Sequence, residues 1–555
     1  MPYNILGIHP GHNGSAALVS DGKLAYYLEE ERLSRSKRDG NPFRVMVDIC
    51  SKYKVDELII GGTNDESEWN RLPWTQESPY VALIRKYNPN IKVTWVNHEH
   101  HMLHAVCAFF NSGFDKASLL VIDGAGSKKE FNGIISYECE SLWEGNSKGI
   151  NLINKSSWST INSAVTLTKT YEAVTQYLGW EGIEGGKTMG LAPYGKENPN
   201  IPQLFKNGRG DKNIFLPHYP AGASIDTQNI PIFQRNNNPK EWHHDPSKLT
   251  EIEADLAWQI QNDTQEEVAK LIEKSVELTG NKQICIAGGY GLNCVTNYWL
   301  KKRFPNLEIY HEPISHDGGT AIGAAYIGWM NYQPKTIFAN QISLYYGPQY
   351  NTDQYLTTIK NHKNIFNQYK VNPEQVAKLI SKRNIVTIFQ GRSEAGPRAL
   401  GNRSILYDPT DPNGKDFVNR VKKREWFRPF AGTVLLEKAN EWFDMAGLKE
   451  SPFMMYAIDV WPDKQNQIKA ITHVDGTCRI QTVTEEQNPH YYKLIQEFEK
   501  ITGVPILFNT SFNLAGDPLV ETIEDALKTL IKSEINYMYI PELEILLEKK
   551  SNERI

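Results

Sequence analysis

The chain reads as an α/β protein of two domains. Three features predict this: a length of 555 residues, more than one core comfortably organises; a unit of strand, glycine turn and strand that occurs twice in the first half; and a shift to Asn, Gln, Tyr and Lys from Thr336 to Gln368. Hydrophobic residues make up 40% of the chain and charged ones 23%, the balance of an ordered globular protein. A net charge of -5 offers no basic field for nucleic acid, so a small anion has to be met by local arginines. Six scattered cysteines without a C-x-x-C pair predict a reduced, cytoplasmic chain. No apolar run approaches the ~20 residues of a membrane span, and Met1 leads straight into a strand, so neither insertion nor secretion is expected.

Tyr3 to Ile8 is an apolar strand that enters a glycine turn with His12, and the Asp21-Gly22 turn then makes a hairpin of Ala16–Val19 and Leu24–Leu28. The pattern returns at Leu119 to Ile122, which runs into Asp123-Gly124-Ala125-Gly126-Ser127 and the strand-like Phe131 to Tyr137. Two such units suit a duplicated nucleotide-binding architecture of the actin and sugar-kinase type, and a plain hairpin repeat has the same pattern. Glycine turns between strands bring N–H groups close to a ligand. A helix at Phe43–Lys52 and strands at Glu57–Gly61 and Lys92–Val96 lie between the units.

The segment Asn97 to Ala105 holds four histidines. As a helix it projects His100 and His104, four apart, from one face, where two imidazoles can share a zinc or iron ion. His101 with His104, three apart, is the alternative pair, and a polar helix end with solvated histidines fits the same letters. Asp123 and Asp317 each follow a short strand at a glycine turn and complete a two-His, two-Asp shell; helix capping is the other role open to Asp317.

Asn162–Leu178 reads as a helix, Gly182–Gly195 as a glycine-rich loop with Lys187, Lys196–Ser247 as an irregular excursion, and Leu249–Thr279 as a long amphipathic helix. The strand Gln283–Ala287 ends in Gly288-Gly289 and Asn293 before a helix, an order that can cradle an anion at the helix start. The shift at Thr336–Gln368 is read as a linker, which divides the chain into domains at 1–345 and 346–555. Beyond it, the strand Asn384–Phe389 delivers a glycine loop with Arg392, Arg398 and Arg403, where guanidinium forks are expected to hold phosphates. Lys422-Lys423-Arg424, Arg428, the stretch to Arg479, and Phe508–Asn513 with Ser511 are expected to line the same anion pocket.

Ten motifs carry a resemblance over nearly the whole chain: HNGSAALVSDG, EEERLSRSKRDG, HHMLHA, VIDGAGS, KTMGLAPYG, AGGYGLN, DGGTAIGAA, GPRALGNRSIL, KKREWFRPFAG and LFNTSFN. In these the chain resembles the O-carbamoyltransferases of the NodU/CmcH family, which carbamoylate nodulation factors, cephems, aminoglycosides and related natural products. The resemblance implies an actin-like N-terminal domain similar to threonylcarbamoyl transferases and a YrdC-like C-terminal domain. It implies that carbamoyl phosphate and ATP, with Mg²⁺, give carbamoyl adenylate and pyrophosphate in the C-terminal domain. The carbamoyl group then passes, at an N-terminal divalent metal site with iron(II) the first choice, to a hydroxyl of a small acceptor. On that likeness His100, His104, Asp123 and Asp317 match the metal ligands and His12 the catalytic histidine. Arg398, Lys423, Arg479 and Ser511 match the carbamoyl phosphate and ATP site, Gly288, Gly289 and Asn293 the nucleotide turn, and Lys187 its loop. Tyr290 and Gly291 depart from the small apolar residues expected in that turn.

Two other readings compete. A tRNA threonylcarbamoylation enzyme would need an RNA surface that the acidic balance does not offer. A non-catalytic nucleotide-binding protein on the actin-type fold has no use for the arginine-rich second domain. No partner beyond ATP, carbamoyl phosphate and the acceptor is expected, save a second copy, since a symmetric homodimer is the default for a soluble enzyme.

Overall fold

Strands β1 (Asn4–His9), β2 (Ser15–Ser20), β3 (Lys23–Glu29), β4 (Glu57–Gly61) and β5 (Lys92–Val96) form one sheet in the order β3-β2-β1-β4-β5. Here β1, β2 and β3 pair antiparallel, and β1, β4 and β5 pair parallel. The hairpin turn uses Asp21 (φ 46°) and Gly22 (φ 79°), the pair of positive angles that a tight two-residue connection requires. This is a computed structural model, which describes residues 2–62, 78–96, 98–131, 134–159, 166–201, 204–205, 249–333 and 343–550.

A second sheet repeats the plan. It contains β6 (Ala117–Ile122), β7 (Lys128–Phe131), β8 (Ile134–Asn146), β9 (Gly149–Ser159), β10 (Gln283–Ala287) and β11 (Glu308–His311). β6 pairs antiparallel with β8 and β8 with β9, while β6 pairs parallel with β10 and β10 with β11. Setting aside β7, which extends the edge of β8, the order β9-β8-β6-β10-β11 reproduces that of the first sheet. The two glycine turns of the sequence therefore leave the corresponding strands, β1 and β6, of two equivalent sheets.

Both strands are buried along their whole length and apolar except at Asn4, His9 and Ser118. Close helix packing fixes what lies at their ends. In the helix Thr320–Tyr332 a Cβ on Gly323 would collide with the Leu103 carbonyl oxygen of the helix His100–Ser112, so the absence of a side chain lets these two helices touch backbone to backbone. That contact brings Asp317 and the histidines to one place.

A third sheet takes strands β12 (Phe366–Lys370), β13 (Val386–Phe389), β14 (Arg403–Tyr407), β15 (Ala431–Leu435), β16 (Ala457–Asp459), β17 (Thr477–Val483), β18 (Ile506–Ser511), β19 (Tyr537–Ile540) and β20 (Ile545–Lys549). Its order is β12-β20-β19-β13-β14-β18-β15-β17-β16. The chain clusters into two compact units, Met1–Glu30 with Arg38–Gln341, and Glu31–Lys37 with Ile342–Ile555. No described helix is long and apolar enough to cross a membrane.

Three readings of the sequence change. The glycine-rich stretch Gly182–Gly195 is not a loop: Gly182–Glu184 and Ala192–Tyr194 are 3₁₀ turns around a helix at Gly185–Leu191. A capping box formed by Glu181 and Glu184 closes the first 3₁₀ turn, from which the helix continues without a side-chain cap of its own, and burial of Thr188, Gly190 and Leu191 outweighs the glycines' low propensity. Second, the expected linker contains the helix Thr352–Asn361 and the strand β12. An Asn351–Gln354 capping box begins that helix, and β12 pairs with β20. The helix expected at Asn162–Leu178 begins later, at Leu167, where Thr166 accepts the Lys169 N–H, and residues 162–165 lie outside the described residues. Most of the expected excursion at Lys196–Ser247 and the first part of the linker also lie outside them.

Candidate functional site

The helix His100–Ser112 receives no side-chain cap from Glu99 at its start. The turn after β6 supplies one instead: Ser127 Oγ accepts the His100 N–H at 3.0 Å, and Glu138 accepts the N–H groups of His101 (3.3 Å) and Ser127 (3.0 Å). Lys155 pairs with the same Glu138 carboxylate. The helix is thereby anchored to the turn that carries Asp123.

One helical turn apart, His100 and His104 bring their Nε2 atoms to 3.1 Å of each other. His100 Nε2 lies 3.6 Å from Asp123 Oδ2 and 3.7 Å from Asp317 Oδ1, and His104 Nε2 lies 3.9 Å from Asp317 Oδ1. One donor atom from each of the four residues lies within 4.8 Å of the other three. Ligand atoms on a tetrahedral ion with bonds near 2.0–2.1 Å stand roughly 3.3–3.4 Å apart, so this spacing matches a set closing on one cation. Two imidazoles and two carboxylates are also a donor set that borderline divalent ions accept.

The electrostatics make the same demand. Burial disfavours a charged His100, but the pull of the Asp123 carboxylate 3.6 Å away and the charge of Asp317 outweigh it and raise the pKa to about 9. Burial, and then the His100 charge, hold His104 well below its usual value. Burial and the charge of Asp123 push Asp317 up to about 6. One imidazole is thus charged to compensate two carboxylates, a role that a divalent cation fills with both imidazoles neutral. His101 turns aside, with Nδ1 hydrogen-bonded to Ser141 Oγ at 2.8 Å, so the pair four apart faces the carboxylates.

His12 stands in the turn after β1. Its side chain is exposed, yet surrounding protein mass, then Arg38 and His316, lower its pKa, against the pull of Asp123 and Glu29. Asn13, at φ 61°, ties this turn to β3 through Glu29 at 3.1 Å. His9 escaped the sequence reading. It is buried with its ring centroid 5.9 Å from that of His100, and burial pulls its pKa to about 3. The neutral ring's Nε2 lies 3.2 Å from the His12 carbonyl oxygen, which braces the turn. The only hint in the sequence was the spacing of three in His-Pro-Gly-His.

The residues expected at a nucleotide have protein partners. Gly289 donates its N–H to Asp123 Oδ1 at 2.9 Å, and Asn293 caps its helix by accepting the Thr296 N–H at 3.1 Å. The Asn293 amide also donates to Gln261 Oε1 at 3.0 Å, and Lys187 pairs with Glu184 at 2.9 Å. Tyr290 is buried with its hydroxyl 3.1 Å from Thr296 Oγ1. Gly288 takes φ 85°, and a Cβ there would strike the Ile122 carbonyl oxygen. Gly288→Ala is therefore expected to destabilise the fold by about 3 kcal/mol and to disturb Asp123, measured by chemical denaturation together with metal content.

In the second unit, strand register gathers the cations. Ala431 pairs with both Arg479 and Asn509, and Ser511 pairs with Ser404, so the Ser511 end of β18 lies beside Arg403, Ala431 and Arg479. Arg424 follows the helix Gly414–Lys422. Burial, then the charges of Arg428 and Arg479, depress its pKa, with Arg398 adding to the repulsion and Glu425 opposing it. Arg479 Nε is buried without a hydrogen-bond partner. Repelling guanidiniums gathered at a strand end fit a polyanion.

Lys423 is placed differently from these. It ends its helix in the left-handed region (φ 54°) with its side chain exposed. One position earlier, Lys422 shares the buried face of Val418 and Val421, is 2% exposed, and donates to Ser511 O, to Asn513 O at 2.9 Å and to Asn513 Oδ1 at 3.1 Å. A step of one residue near a helix end turns the side chain by roughly 100°, which separates the two lysines. Burial, then Arg424, Arg428 and Lys37, lower the pKa of Lys422. Its carbonyl acceptors favour the ammonium form in return. Two of the three loop arginines are also committed elsewhere. Arg392 donates to Gly347 O at 2.7 Å and Tyr346 O at 2.6 Å. The buried Arg403 stacks on Phe389 at 3.8 Å and donates to Gln390 O at 2.5 Å and Glu521 O at 3.2 Å. Of the three, Arg398 is the one beside the cluster.

Two family models match the chain: "Carbamoyltransferase N-terminus" over residues 83–326 and "Carbamoyltransferase C-terminus" over residues 377–548. The nodulation protein NolNO of Sinorhizobium fredii is 32% identical, with 95% of this chain and 78% of that protein covered. An uncharacterized protein of Synechocystis sp. is 31% identical, with 97% and 95% covered. A full-length HypF crystal structure aligns at 11% identity over 60% of this chain and 56% of its own, with a TM-score of 0.34, a likeness too slight to argue from.

Proposed function

The chain belongs to the carbamoyltransferase family and is a carbamoyltransferase, and from that premise we propose that it is ATP-dependent, works through carbamoyl adenylate, and passes the carbamoyl group to a hydroxyl of a small natural product. The first unit is read as an actin-type domain and the second as a YrdC-like one. The observation that carries the reading is that each unit holds one chemically distinct cluster: four metal-type donors in the first, and arginines with Lys422 in the second.

The balanced chemistry needs both. Carbamoyl phosphate loses phosphate to water and leaves carbamate, whose oxygen attacks the α-phosphorus of Mg²⁺-bound ATP and displaces pyrophosphate. Arg398, Arg424, Arg428 and Arg479 would neutralise the phosphates as charge moves onto the leaving group. Lys422 holds the Ser511–Asn513 turn in place. In the second step the acceptor oxygen attacks the carbamoyl carbon and AMP leaves, while a neutral His12 takes the hydroxyl proton. A divalent cation on His100, His104, Asp123 and Asp317 would polarise the group under attack.

The pKa of His12 lies below the ordinary 6.5. The base is active when neutral, so transfer is full at neutral pH and falls as the pH drops through that lowered pKa. The acid limb of kcat/KM for the acceptor is expected below pH 6.5, and His12→Ala is expected to lose about 10²–10⁴-fold in transfer. Phosphorus NMR tests the whole reading: ATP, carbamoyl phosphate and a hydroxyl acceptor should give AMP, pyrophosphate and phosphate in equal amounts. ADP as the product would refute it.

A further inference from the structure

In the motif EEERLSRSKRDG, Arg32 and Arg35 have so far no role, and the core Glu31–Lys37 leaves the first unit's run of sequence to cluster with the second. We propose that this segment is a strap whose Arg32 and Arg35 are positioning residues for the anion site of the second unit. The proposal rests on the reading of Arg398, Lys422 and Ser511 as parts of a phosphate site.

Arg32 is 3% exposed, and its Nη2 donates to the Gly396 carbonyl at 2.6 Å. Gly396 is buried in the left-handed region (φ 79°), two residues before Arg398. The grip therefore falls on the turn that aims Arg398. Burying a guanidinium is costly, and this one keeps two further donors, Nε and Nη1, without a hydrogen-bond partner. The carboxylate of Glu31 is 3.9 Å from Nε, beyond a hydrogen bond. A loop that only needed a tie could have used a neutral donor at less cost.

Arg35 grips the other wall. Its Nη1 donates to the Leu519 carbonyl at 2.6 Å and its Nη2 to the Pro518 carbonyl at 2.9 Å, with Nε 3.7 Å from Asp525. These carbonyls lie in the connection between β18 and the helix Ile523–Ile531, downstream of Ser511 and Asn513, which Lys422 holds. Arg35 itself sits at φ 60°, a local backbone cost. Two guanidiniums three residues apart thus fix the Arg398 loop and the loop that follows Ser511. Neither needs to touch substrate; each sets where a phosphate-binding group stands, and small displacements of such groups are costly.

The test compares the full-length chain with Arg32→Ala, Arg32→Lys, Arg35→Ala and Arg398→Ala. Inorganic pyrophosphate and ATP serve as calorimetric probes well below the melting midpoint, alongside thermal unfolding and the kinetics of pyrophosphate release. Arg32→Ala and Arg35→Ala are expected to weaken pyrophosphate binding about tenfold or more and to raise KM with a smaller change in kcat, and Arg32→Lys to recover part of the loss. A lowered melting midpoint with unchanged affinity would overturn the proposal, because the arginines would then serve packing alone. Loss of binding in Arg398→Ala with full binding in both strap variants to alanine would also overturn it while leaving the phosphate site intact. A wild-type chain that binds neither probe would remove the phosphate site and the strap with it.

Discussion

Replacing His100 with alanine is expected to remove the divalent metal and to slow carbamoyl transfer by about three orders of magnitude, while pyrophosphate release from ATP and carbamoyl phosphate continues. Nε2 of His100 is the closest of the four donors to the rest of the set, at 3.1 Å from His104 and 3.6 and 3.7 Å from the two carboxylates. Without it, two carboxylates and one imidazole remain. A metal acting as a Lewis acid is worth several kcal/mol of charge stabilisation, and each ~1.4 kcal/mol is tenfold in rate, which sets the magnitude. Metal analysis of the purified variant and separate measurement of the two half-reactions check the result. Equal loss of both half-reactions would show that the cluster does not serve transfer alone. His101→Ala is the control: its ring is turned to Ser141, so the metal should stay bound.

The second large effect separates two adjacent lysines. Lys422→Met is expected to reduce pyrophosphate release about 10²-fold, because its ammonium donates to Ser511 O, Asn513 O and Asn513 Oδ1 and so holds the turn that presents Ser511, and a misplacement of about 1 Å at a reacting site costs that much. Lys423→Met should stay within about twofold of the parent, because that side chain is exposed at the helix end. Initial rates with both substrates saturating decide the matter. The reverse order of effects would mean that the exposed lysine meets the substrate and that the Ser511–Asn513 turn keeps its place without Lys422.

These lysines also mark a limit of what the sequence discloses. The metal-type set was legible because each of its parts has a local signature: an i, i+4 spacing for His100 and His104, and a glycine turn after a strand for Asp123 and Asp317. The repeated strand–turn–strand unit suited a duplicated fold and a plain hairpin repeat alike, and the matching order of the two sheets decides for duplication. Choosing between Lys422 and Lys423 depends on the phase of a helix at its last turn, where an uncertainty of one residue moves a side chain from core to solvent. Arg392 and Arg403 resemble Arg398 in composition and neighbourhood. What removes them from the anion site is a set of backbone carbonyls at Tyr346, Gly347, Gln390 and Glu521, partners that no local pattern specifies. His9 was hidden for the same reason, because its role depends on the packing of β1 beside a helix that starts ninety-one positions later, at His100. The helix at Gly185–Leu191 was obscured by its glycines and by the lack of a side-chain cap at its start.

The most direct test of the account is pyrophosphate release by the purified chain given ATP alone, carbamoyl phosphate alone, and both together, repeated with a panel of hydroxyl acceptors. Pyrophosphate is expected only when both substrates are present, and Arg398→Ala is expected to abolish it. Absence of pyrophosphate under every condition, or its release from ATP without carbamoyl phosphate, would contradict the adenylate reaction at the centre of the account.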